Sequence, residues 1–285
     1  MTGDEALRRA VVTLRVNGIE EPELTAEVLL RHVLQLDRAY LFLRLPDQLS
    51  DEQAVAYQDL LARRIRHTPT AYLTGRREFY SMSLAVGRGV LIPRPETEHV
   101  VEAALDVARA MLGTSSRVTL VDVGTGSGAI ALAVAKQLPA LRVLATDLSP
   151  AALAVAGLNA KRLRLAGRVT FLGGDLLTPL TKQVEIITAN LPYIPTAVWA
   201  ALPPEIRDHE PRAALDGGDD GLRVIDRLLA QVPAHLAPGG VVILEMQYDQ
   251  ATALTALVAE RLPGAAVAIL PDLAGHDRVA VIRSP

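Results

Sequence analysis

The sequence predicts an α/β protein in which helices cover a mostly parallel β-sheet, preceded by a small helical domain. From residue 96 onwards, short apolar runs alternate with stretches of helical periodicity, which is the pattern of βα units. Before residue 69, apolar residues recur every three or four positions, as they do in amphipathic helices. The chain has 285 residues and half of them are hydrophobic, so it can bury a core in each of two domains.

The helical domain is expected over residues 1–75. Its apolar periodicity predicts helices at Ala6–Leu14, Leu24–Leu36 and Ala54–Ile65. Ser50, followed by two acidic residues, is a typical start for the third of them. A β-hairpin is expected over residues 76–95, because the apolar stretches EFYSMSLAV and VLIPR flank the turn residues Gly87–Gly89. We expect this hairpin to connect the two domains.

The α/β domain is expected over residues 96–285. Its strands are predicted, in chain order, at RVTLVDVG, LRVLATD, RVTFLGGD, VEIITAN, GGVVILEM, AAVAIL and RVAVIRS. Its helices are predicted at Glu98–Leu112, AIALAVAKQL, PAALAVAGLNAKRL, Gly221–Leu236 and Asp249–Arg261. A short loop at Gly275 joins the last two strands, which predicts that they pair antiparallel in an otherwise mostly parallel sheet.

Composition excludes several classes of function. The formal net charge of −3 argues against a protein held on nucleic acid by bulk electrostatics, so no stable nucleic-acid binding is expected. The chain has no cysteine, which excludes disulfides, thiolate metal sites and a cysteine nucleophile. His209 and Glu210 follow Asp208 without a third suitably spaced ligand, so no metal is expected. No signal peptide or membrane span is visible, and we expect a cytoplasmic protein.

A glycine-rich loop follows the first strand of the α/β domain. It carries Gly124, Thr125, Gly126, Ser127 and Gly128. Without Cβ atoms, such a loop lets a ligand lie against the backbone and the N-terminus of the next helix. Asp147 ends the second strand, where a carboxylate can accept both hydroxyl hydrogens of a ribose. The combination predicts a cofactor that contains a nucleoside.

The loop alone leaves the identity of the cofactor open. The G-x-G-x-x-A spacing of residues 124–129 also satisfies a dinucleotide fingerprint. Asp122, in the preceding strand, can reach a positively charged amino-acid portion of S-adenosylmethionine. Asp175 ends the third strand, and it or its neighbour Leu176 can border an adenine. The simpler alternative is that Asp122 and Asp175 cap the helices that follow.

The fourth strand ends on the tetrapeptide Asn190-Leu191-Pro192-Tyr193, at the sheet edge where ligands bind in such folds. An asparagine oxygen and a neighbouring backbone carbonyl can accept the two hydrogens of a planar –NH2 group, and Tyr193 offers it a flat face. Because asparagine cannot act as a general base, catalysis would depend on alignment with a methyl donor. We interpret Asn190, Pro192 and Tyr193 as catalytic and the whole tetrapeptide as the substrate site. An ordinary strand exit is the alternative.

These motifs resemble the HemK/PrmC family, the protein-(glutamine-N5) methyltransferases of peptide chain release factors. The tetrapeptide is close to the Asn-Pro-Pro-Tyr motif of amino-group methyltransferases. Further matching stretches are PTAYLTGRREFY (69–80), LIPRPETE (91–98), VDVGTGSGAIALAVA (121–135), ATDLSPAAL (145–153), DHEPRAALDGGDDGL (208–222) and GGVVILE (239–245). They cover nearly the whole chain in the right order, and PTAYLTG followed by IPRPETE is specific to this family.

The resemblance implies a Rossmann-like, seven-stranded class I methyltransferase domain that uses S-adenosyl-L-methionine and acts on release factors. It implies that Asn190 and the backbone at Leu191 grip the glutamine amide of a Gly-Gly-Gln loop. It also implies that Gly124–Gly128, Asp147 and Asn190 line the cofactor site. Leu176 would pack near the adenine, where the family often has an aromatic residue. The helical domain is expected to recognise the protein substrate.

Leu191 stands where the family usually has proline. If this position contributes only its carbonyl, the side chain matters little, and Pro192 restricts Leu191 to extended conformations. Asn-Leu-Pro-Tyr also resembles the motif of ribosomal-RNA adenine-N6 methyltransferases, so methylation of rRNA or DNA adenine is the alternative function. Those enzymes usually carry basic surfaces and a C-terminal helical domain, whereas this chain is mildly acidic with its helices at the N-terminus. The comparison favours protein glutamine.

Two other classes of protein share the glycine loop. An NAD-dependent oxidoreductase would need a proton-relay residue near the nicotinamide, and no Ser/Tyr/Lys or His/Asp set stands out in the sequence. A non-catalytic binding module on the same fold would be expected to have lost the glycines, Asp147 or Asn190, and all are present.

Overall fold

The computed structural model describes residues 1–115 and 117–285, which fold as two compact units. The helical unit comprises Met1–Arg76 and Pro203–His209. The α/β unit comprises Arg77–Leu202 and Glu210–Pro285. The segment 203–209, which the sequence pattern did not assign to the helical domain, therefore belongs to the helical unit. In the described part of the chain, no helix is both long and apolar enough to cross a membrane.

Helices and strands are numbered along the chain. The helices are α1 (Gly3–Val16), α2 (Pro22–Leu34), α3 (Arg38–Arg44), α4 (Asp51–Arg64), α5 (Thr70–Thr74), α6 (Glu98–Leu112), α7 (Ala129–Gln137), α8 (Pro150–Arg162), α9 (Pro204–Arg207), α10 (Arg223–His235) and α11 (Ala251–Arg261). The strands are β1 (Arg76–Phe79), β2 (Met82–Ala85), β3 (Thr119–Val123), β4 (Arg142–Asp147), β5 (Val169–Gly173), β6 (Val184–Ala189), β7 (Ile194–Pro195), β8 (Asp216–Gly218), β9 (Leu236–Glu245), β10 (Ala266–Pro271) and β11 (Asp277–Arg283).

In the helical unit, α1, α2 and α4 correspond to the three predicted helices, and their buried residues include Leu14, Leu29 and Tyr57. The predicted start of α4 is confirmed, because the Ser50 side chain accepts a hydrogen bond from the backbone N–H of Gln53. The helices α3 and α5 were not predicted. They have seven and five residues, which is too short for a helical period to be visible in the sequence.

The prediction of a hairpin between EFYSMSLAV and VLIPR is wrong, because residues 90–94 form no strand and a different hairpin is present at residues 76–85. β1 pairs with β2, and the chain reverses at Tyr80 and Ser81, whose φ angles are 47° and 54°. Two consecutive residues with positive φ match the right-handed twist of a hairpin. Glycine or asparagine normally marks such a turn, so the sequence pointed instead to Gly87–Gly89, which lies beyond the end of β2.

The α/β unit is built on a seven-stranded sheet with the order β10-β11-β9-β6-β3-β4-β5. The strands β9, β6, β3, β4 and β5 run parallel, and β11 runs antiparallel to both β9 and β10. The predicted fold class is confirmed, including the antiparallel last strand. The short pair of β7 and β8 was not predicted and forms a separate two-stranded sheet.

Apolar side chains cover both faces of this sheet. Along β3, Leu120 belongs to a cluster that includes α6 and α7, and Val121 belongs to a cluster that includes α10 and α11. This alternation follows from the two-residue period of a strand. It buries the sheet on both sides, as expected for parallel strands.

The register of the sheet brings several strand ends to one edge. Val123 pairs with Thr146 on one side and with Ala189 on the other, and Ala189 pairs with Leu244. The next residues along these strands are Gly124, Asp147, Asn190 and Glu245. The chain winds outwards in both directions from β3, so this edge is the switch point at which ligands bind in α/β folds.

Candidate active site

The glycine loop after β3 has a backbone that only glycine adopts readily. Gly124, Gly126 and Gly128 have φ angles of +69°, +56° and +84°. A β-carbon on Gly128 would lie 2.9 Å from Leu132, in the first turn of α7. Only glycine therefore leaves room for the Leu132 side chain at this position. At Gly126 the nearest atom to such a carbon is the Gly124 oxygen at 4.0 Å. The loop therefore leaves space on that side for a ligand.

Asp147, at the end of β4, holds the loop in place. Its Oδ2 accepts a hydrogen bond from the backbone N–H of Gly126 at 2.9 Å, and its Oδ1 accepts one from Ser149 at 2.8 Å. A carboxylate oxygen can accept more than one hydrogen bond, so Asp147 retains capacity for two further hydroxyl donors. The adjacent Leu148 is 72% exposed, an apolar side chain at the sheet edge that the sequence interpretation did not single out.

Asp122 is buried beneath the same loop. Its Oδ2 accepts a hydrogen bond from the Thr125 hydroxyl at 2.6 Å, and its Oδ1 accepts one from the Thr188 hydroxyl at 3.1 Å. Burial raises the pKa of Asp122 to about 7, against the effect of these bonds and of one from the backbone of Ala131 in α7. Contact between Asp122 and a cofactor stays a prediction.

Ser127 contributes to the loop through its backbone. Its carbonyl accepts a hydrogen bond from Nδ2 of Asn159 at 2.9 Å, and the same amide bonds the backbone of Ala85 in β2. Asn159 is fully buried in α8. Asn159 links the glycine loop to the β1–β2 hairpin. The sequence pattern did not predict this role, because Asn159 lies inside a helical stretch.

Asn190 has a fixed amide orientation. Its Nδ2 donates to the Thr97 hydroxyl at 2.9 Å and to Oε2 of Glu245 at 2.8 Å. Both amide hydrogens are therefore used within the protein, and Oδ1 is the remaining hydrogen-bonding atom of this side chain. Thr97 comes from the IPRPETE stretch, just before α6.

The ring of Tyr193 is held by the same carboxylate. Its hydroxyl donates to Oε1 of Glu245 at 3.1 Å. Burial raises the pKa of Tyr193, and the negative charge of Glu245 acts in the same direction. The hydroxyl therefore stays protonated, and Tyr193 does not serve as a base at neutral pH.

Glycines of the LDGGDDG stretch support the backbone of the tetrapeptide. A β-carbon on Gly217 would lie 2.7 Å from the Pro192 oxygen, and one on Gly221 would lie 2.1 Å from the Tyr193 oxygen. Only glycine permits this approach. Nε2 of Gln250 donates to the same Tyr193 oxygen at 3.0 Å.

A small cleft that opens to solvent lies beside the tetrapeptide. Its lining includes Leu91, Arg94, Asn190, Leu191, Tyr193, Ile194, Ala214 and Leu215. Arg94 forms an ion pair with the buried Glu210, whose other oxygen accepts a hydrogen bond from Ile92. The conformation of the IPRPETE stretch is thereby fixed on one wall of the cleft.

Asp175 and Leu176 follow β5. The Asp175 carboxylate forms an ion pair with Arg227 of α10. Leu176 is buried and has a positive φ of 53°, which turns the chain sharply at this point. Their contact with an adenine stays a prediction. Within residues 1–115 and 117–285, no cluster of His, Cys, Asp and Glu side chains is placed to hold a metal ion.

Comparison with known proteins identifies the family. The model of the PrmC N-terminal domain matches residues 5–75, and that of a methyltransferase domain matches residues 120–209. A release factor glutamine methyltransferase of Moorella thermoacetica is 47% identical over 98% of this chain and 97% of its own. This chain belongs to the release factor glutamine methyltransferase family. Another such protein, of Cereibacter sphaeroides, is 41% identical over 100% of this chain and 99% of its own.

Solved structures of other methyltransferases share the fold of this family member. A methyltransferase from Pyrococcus furiosus superposes with a TM-score of 0.51 at 19% identity, over 79% of this chain and 98% of the other. The hMettl16 catalytic domain, in complex with an RNA hairpin, superposes with a TM-score of 0.56 at 16% identity, over 87% of this chain and 92% of the other. At these identities the likeness concerns the fold alone.

Proposed function

We propose that this protein transfers the methyl group of S-adenosyl-L-methionine to the side-chain amide nitrogen (N5) of the glutamine in the Gly-Gly-Gln motif of peptide chain release factors. The proposed chemistry rests on one observation. Both amide hydrogens of Asn190 are taken by Thr97 and Glu245, so its Oδ1 is presented as an acceptor next to an open cleft. The family supports the substrate, because its members are named for release factor glutamine.

The glycine loop fits a nucleoside cofactor with a positive charge. It leaves open space at Gly126 and stands between two carboxylates, Asp122 below and Asp147 beside it. In this proposal Asp147 binds the ribose hydroxyls, and the backbone of Gly124–Gly128, with Thr125 and Ser127, borders the amino-acid portion above Asp122. When bound, S-adenosyl-L-methionine supplies an electrophilic methyl group.

The adenine end of the cofactor would lie on apolar side chains. Leu148 is exposed directly after Asp147, and Leu176 turns the chain after β5. We propose that Leu176 borders the adenine together with Asp175, and that Leu148 covers it from the side of the ribose. Neither leucine offers an aromatic face, so the contact would depend on burial of apolar surface.

Asn190 and Leu191 would align the glutamine amide. An amide nitrogen is a poor nucleophile because its lone pair is shared with the carbonyl. Two acceptors, Oδ1 of Asn190 and the Leu191 carbonyl, would hold both N–H bonds and fix the direction of the nitrogen. Hydrogen bonds to both hydrogens also stabilise the positive charge that grows on the nitrogen as it reacts. Pro192 and the fixed ring of Tyr193 would limit the motion of the substrate.

The two acceptors would also fit the exocyclic amine of adenine, so the rival substrate needs a direct test. Purified release factor, ribosomal RNA and a DNA duplex are each incubated with the enzyme and S-adenosyl-L-methionine, and the products are analysed by mass spectrometry. We expect one methyl group on the glutamine of Gly-Gly-Gln and none on adenine. A release factor with Gly-Gly-Glu and the Asn190→Ala enzyme are the controls. Methylated adenine together with an unmodified release factor would overturn the proposal.

The helical unit is proposed to recognise the release factor. In this division residues 1–75 bind the protein substrate, residues 76–95 link the domains, and residues 96–285 carry out methyl transfer. Exposed apolar side chains on α3, at Tyr40, Phe42 and Leu43, support a binding role. A truncated chain that begins near Glu78 should bind the cofactor and lose methylation of an intact release factor. Full activity of that chain would contradict this division.

The place of action follows from the proposed substrate. Release factors work on ribosomes, so we propose that the protein acts in the cytoplasm and meets its partner there. Neither a membrane nor a stable complex with nucleic acid is part of this proposal, in agreement with the net charge of −3.

A further inference from the structure

Glu245 is a buried carboxylate next to the proposed substrate site. It ends β9 and is 1% exposed. Its Oε2 accepts a hydrogen bond from Nδ2 of Asn190, and its Oε1 accepts one from the Tyr193 hydroxyl. Burying a carboxylate is unfavourable unless it is well paired, so its presence at this position calls for a physical reason.

Thr97 and Glu245 place different limits on the orientation of the Asn190 amide. The Thr97 hydroxyl can donate or accept, so it tolerates either orientation of the asparagine amide. Both oxygens of Glu245 act as acceptors, one from Asn190 and one from the Tyr193 hydroxyl, which is the arrangement of a carboxylate that can only accept. If the Asn190 amide were rotated by half a turn, its Oδ1 would face the carboxylate, and the repulsion would not be relieved. Glu245 is therefore the group that decides which atom of Asn190 points away from the protein interior.

Burial opposes the charge of Glu245, and its neighbours offset part of this cost. Burial raises the pKa of this carboxyl and the nearby Glu96 adds to the effect. Hydrogen bonds from Thr97 and Tyr193 and the positive charge of Arg278 favour the ionised form. In the structure the Thr97 hydroxyl accepts from Asn190, and the two oxygens of Glu245 accept from Asn190 and Tyr193.

We propose that Glu245 is a positioning residue that holds Asn190 with its oxygen toward the substrate and so makes the site select an amide over a carboxylate. The inference rests on the proposed function, because it takes the glutamine side chain as the group that Asn190 meets. A glutamate at the same place would bring an oxygen against Oδ1 of Asn190 and lose both hydrogen bonds. The site would then distinguish Gly-Gly-Gln from Gly-Gly-Glu by the direction of one amide.

The orientation can be measured without any substrate. The chain contains three asparagines, Asn17, Asn159 and Asn190, so protein labelled with nitrogen-15 in asparagine gives three side-chain amide pairs in an NMR spectrum. The Asn190→Asp variant assigns its pair by removing it. We expect the Asn190 pair to exchange slowly with solvent in the wild type, and to shift and exchange faster in Glu245→Ala. The pair of the buried Asn159 should stay in place and report an intact fold.

The consequence for catalysis and selectivity is measured next. Glu245→Ala should lower kcat by about 10- to 100-fold, because a small misplacement of an aligning group has effects of this size. Its Kd for S-adenosyl-L-methionine should stay close to the wild-type value. A release factor carrying Gly-Gly-Glu serves as an inhibitor, and the preference for the Gly-Gly-Gln form over it should fall by about tenfold or more. Asn190 can then rotate and offer its NH2 to the carboxylate.

Glu245→Gln is the matched variant, since it keeps the size of the side chain. An amide can face Asn190 with either atom, so discrimination against Gly-Gly-Glu should still fall while kcat declines less than in Glu245→Ala. This variant decides the matter if Glu245→Ala loses the Asn159 signals and has not folded. Wild-type discrimination in a folded Glu245→Gln or Glu245→Ala enzyme, or an unchanged Asn190 pair in the latter, would overturn the inference. Failure of the wild-type enzyme to methylate a release factor would instead refute the proposed function and leave the NMR result standing.

Discussion

Leu191 packs directly on the glycine loop, because a β-carbon on Gly124 would lie only 3.0 Å from Cδ2 of Leu191. Leu191 is 5% exposed and belongs to the apolar cluster on the face of α10 and α11. The loop proposed to bind the cofactor and the tetrapeptide proposed to bind the substrate are therefore in contact through one side chain. A substitution in either loop should therefore alter the conformation of the other.

Gly124→Ala should disturb both loops. Its φ of +69° is unfavourable for alanine, and the added methyl group would press on Leu191. We expect a loss of about 1–3 kcal/mol in the free energy of unfolding, as for strained non-glycine positions, together with weaker cofactor binding by calorimetry. Gly157→Ala is the matched control. It lies in α8 with no atom within 4 Å of the added carbon, so it should stabilise the protein by about 0.5–1 kcal/mol. Equal effects of the two substitutions would contradict this interpretation.

The sequence was informative where function depends on the end of a strand. The period of apolar residues located β3, β4 and β6, and it placed the polar residues that follow them, such as Asp147 and Asn190, at one edge of the sheet. The same local signals missed the turn at Tyr80 and Ser81, because its residue types are unusual for positive φ angles.

The partners of Asn190 were not predictable, for a different reason. Thr97 and Glu245 are distant from Asn190 in the chain, and they meet it only through the parallel pairing of β6 with β9 and the packing of α6. Neither residue type indicates a functional site in the sequence. Glu245, for example, has the pattern of a polar residue at the end of an apolar strand. Pairing register and tertiary packing decide such contacts, and neither is visible in a local pattern.

Asp147→Ala should weaken cofactor binding. In the proposed site it removes the acceptor for two ribose hydroxyls, which corresponds to about 1.5–3 kcal/mol for hydrogen bonds to a charged group. Because Asp147 also accepts from the N–H groups of Gly126 and Ser149, part of the loss would come from a looser loop. Asp147→Asn keeps one acceptor and should fall between alanine and the wild type. An unchanged Kd by calorimetry in Asp147→Ala would remove this residue from the site.

Asp122 should make the stability of the protein depend on pH. Burial raises its pKa to about 7 from an ordinary value of 3.8. The folded chain therefore binds more protons than the unfolded chain between these values, and the free energy of unfolding should fall as pH rises from about 4 to about 7. The slope for one group approaches about 1.4 kcal/mol per pH unit. Urea unfolding of the wild type and of Asp122→Asn, which cannot ionise, should diverge over this range in favour of the variant. Parallel curves would show that Asp122 is ionised throughout.

The same residue gives a test of the proposed contact with the cofactor. If the carboxylate of Asp122 faces the ammonium group of S-adenosyl-L-methionine, binding favours the ionised form, so affinity should increase as pH rises through about 7. The Asp122→Asn enzyme accounts for the titration of the ligand itself. A ratio of wild-type to variant affinity that does not change with pH would assign Asp122 to helix capping and to anchoring of the loop.

Asn190 is expected to be the residue on which methyl transfer depends. Asn190→Ala removes the side-chain acceptor and should lower kcat by about 100-fold or more, as when a group that positions the reacting atoms is deleted. It also leaves Thr97 and Glu245 without their shared donor, so cofactor affinity and thermal unfolding are measured alongside. Asn190→Asp keeps an acceptor but adds a charge beside Glu245, and should be as inactive as the alanine variant.

Leu191→Pro is the counterpart, because it restores the usual residue of the family and keeps the carbonyl that the mechanism requires. In the described structure the N–H of Leu191 has no hydrogen-bond partner, so proline removes no bond there. The contact with Gly124 is lost, which should loosen the cofactor loop slightly. We therefore expect a change in single-turnover rate of less than about tenfold, far below the effect of Asn190→Ala. If the proline variant is as impaired as the alanine variant, the side chain of Leu191 and not only its carbonyl takes part in alignment. A near-normal rate in Asn190→Ala would refute the proposed mechanism itself.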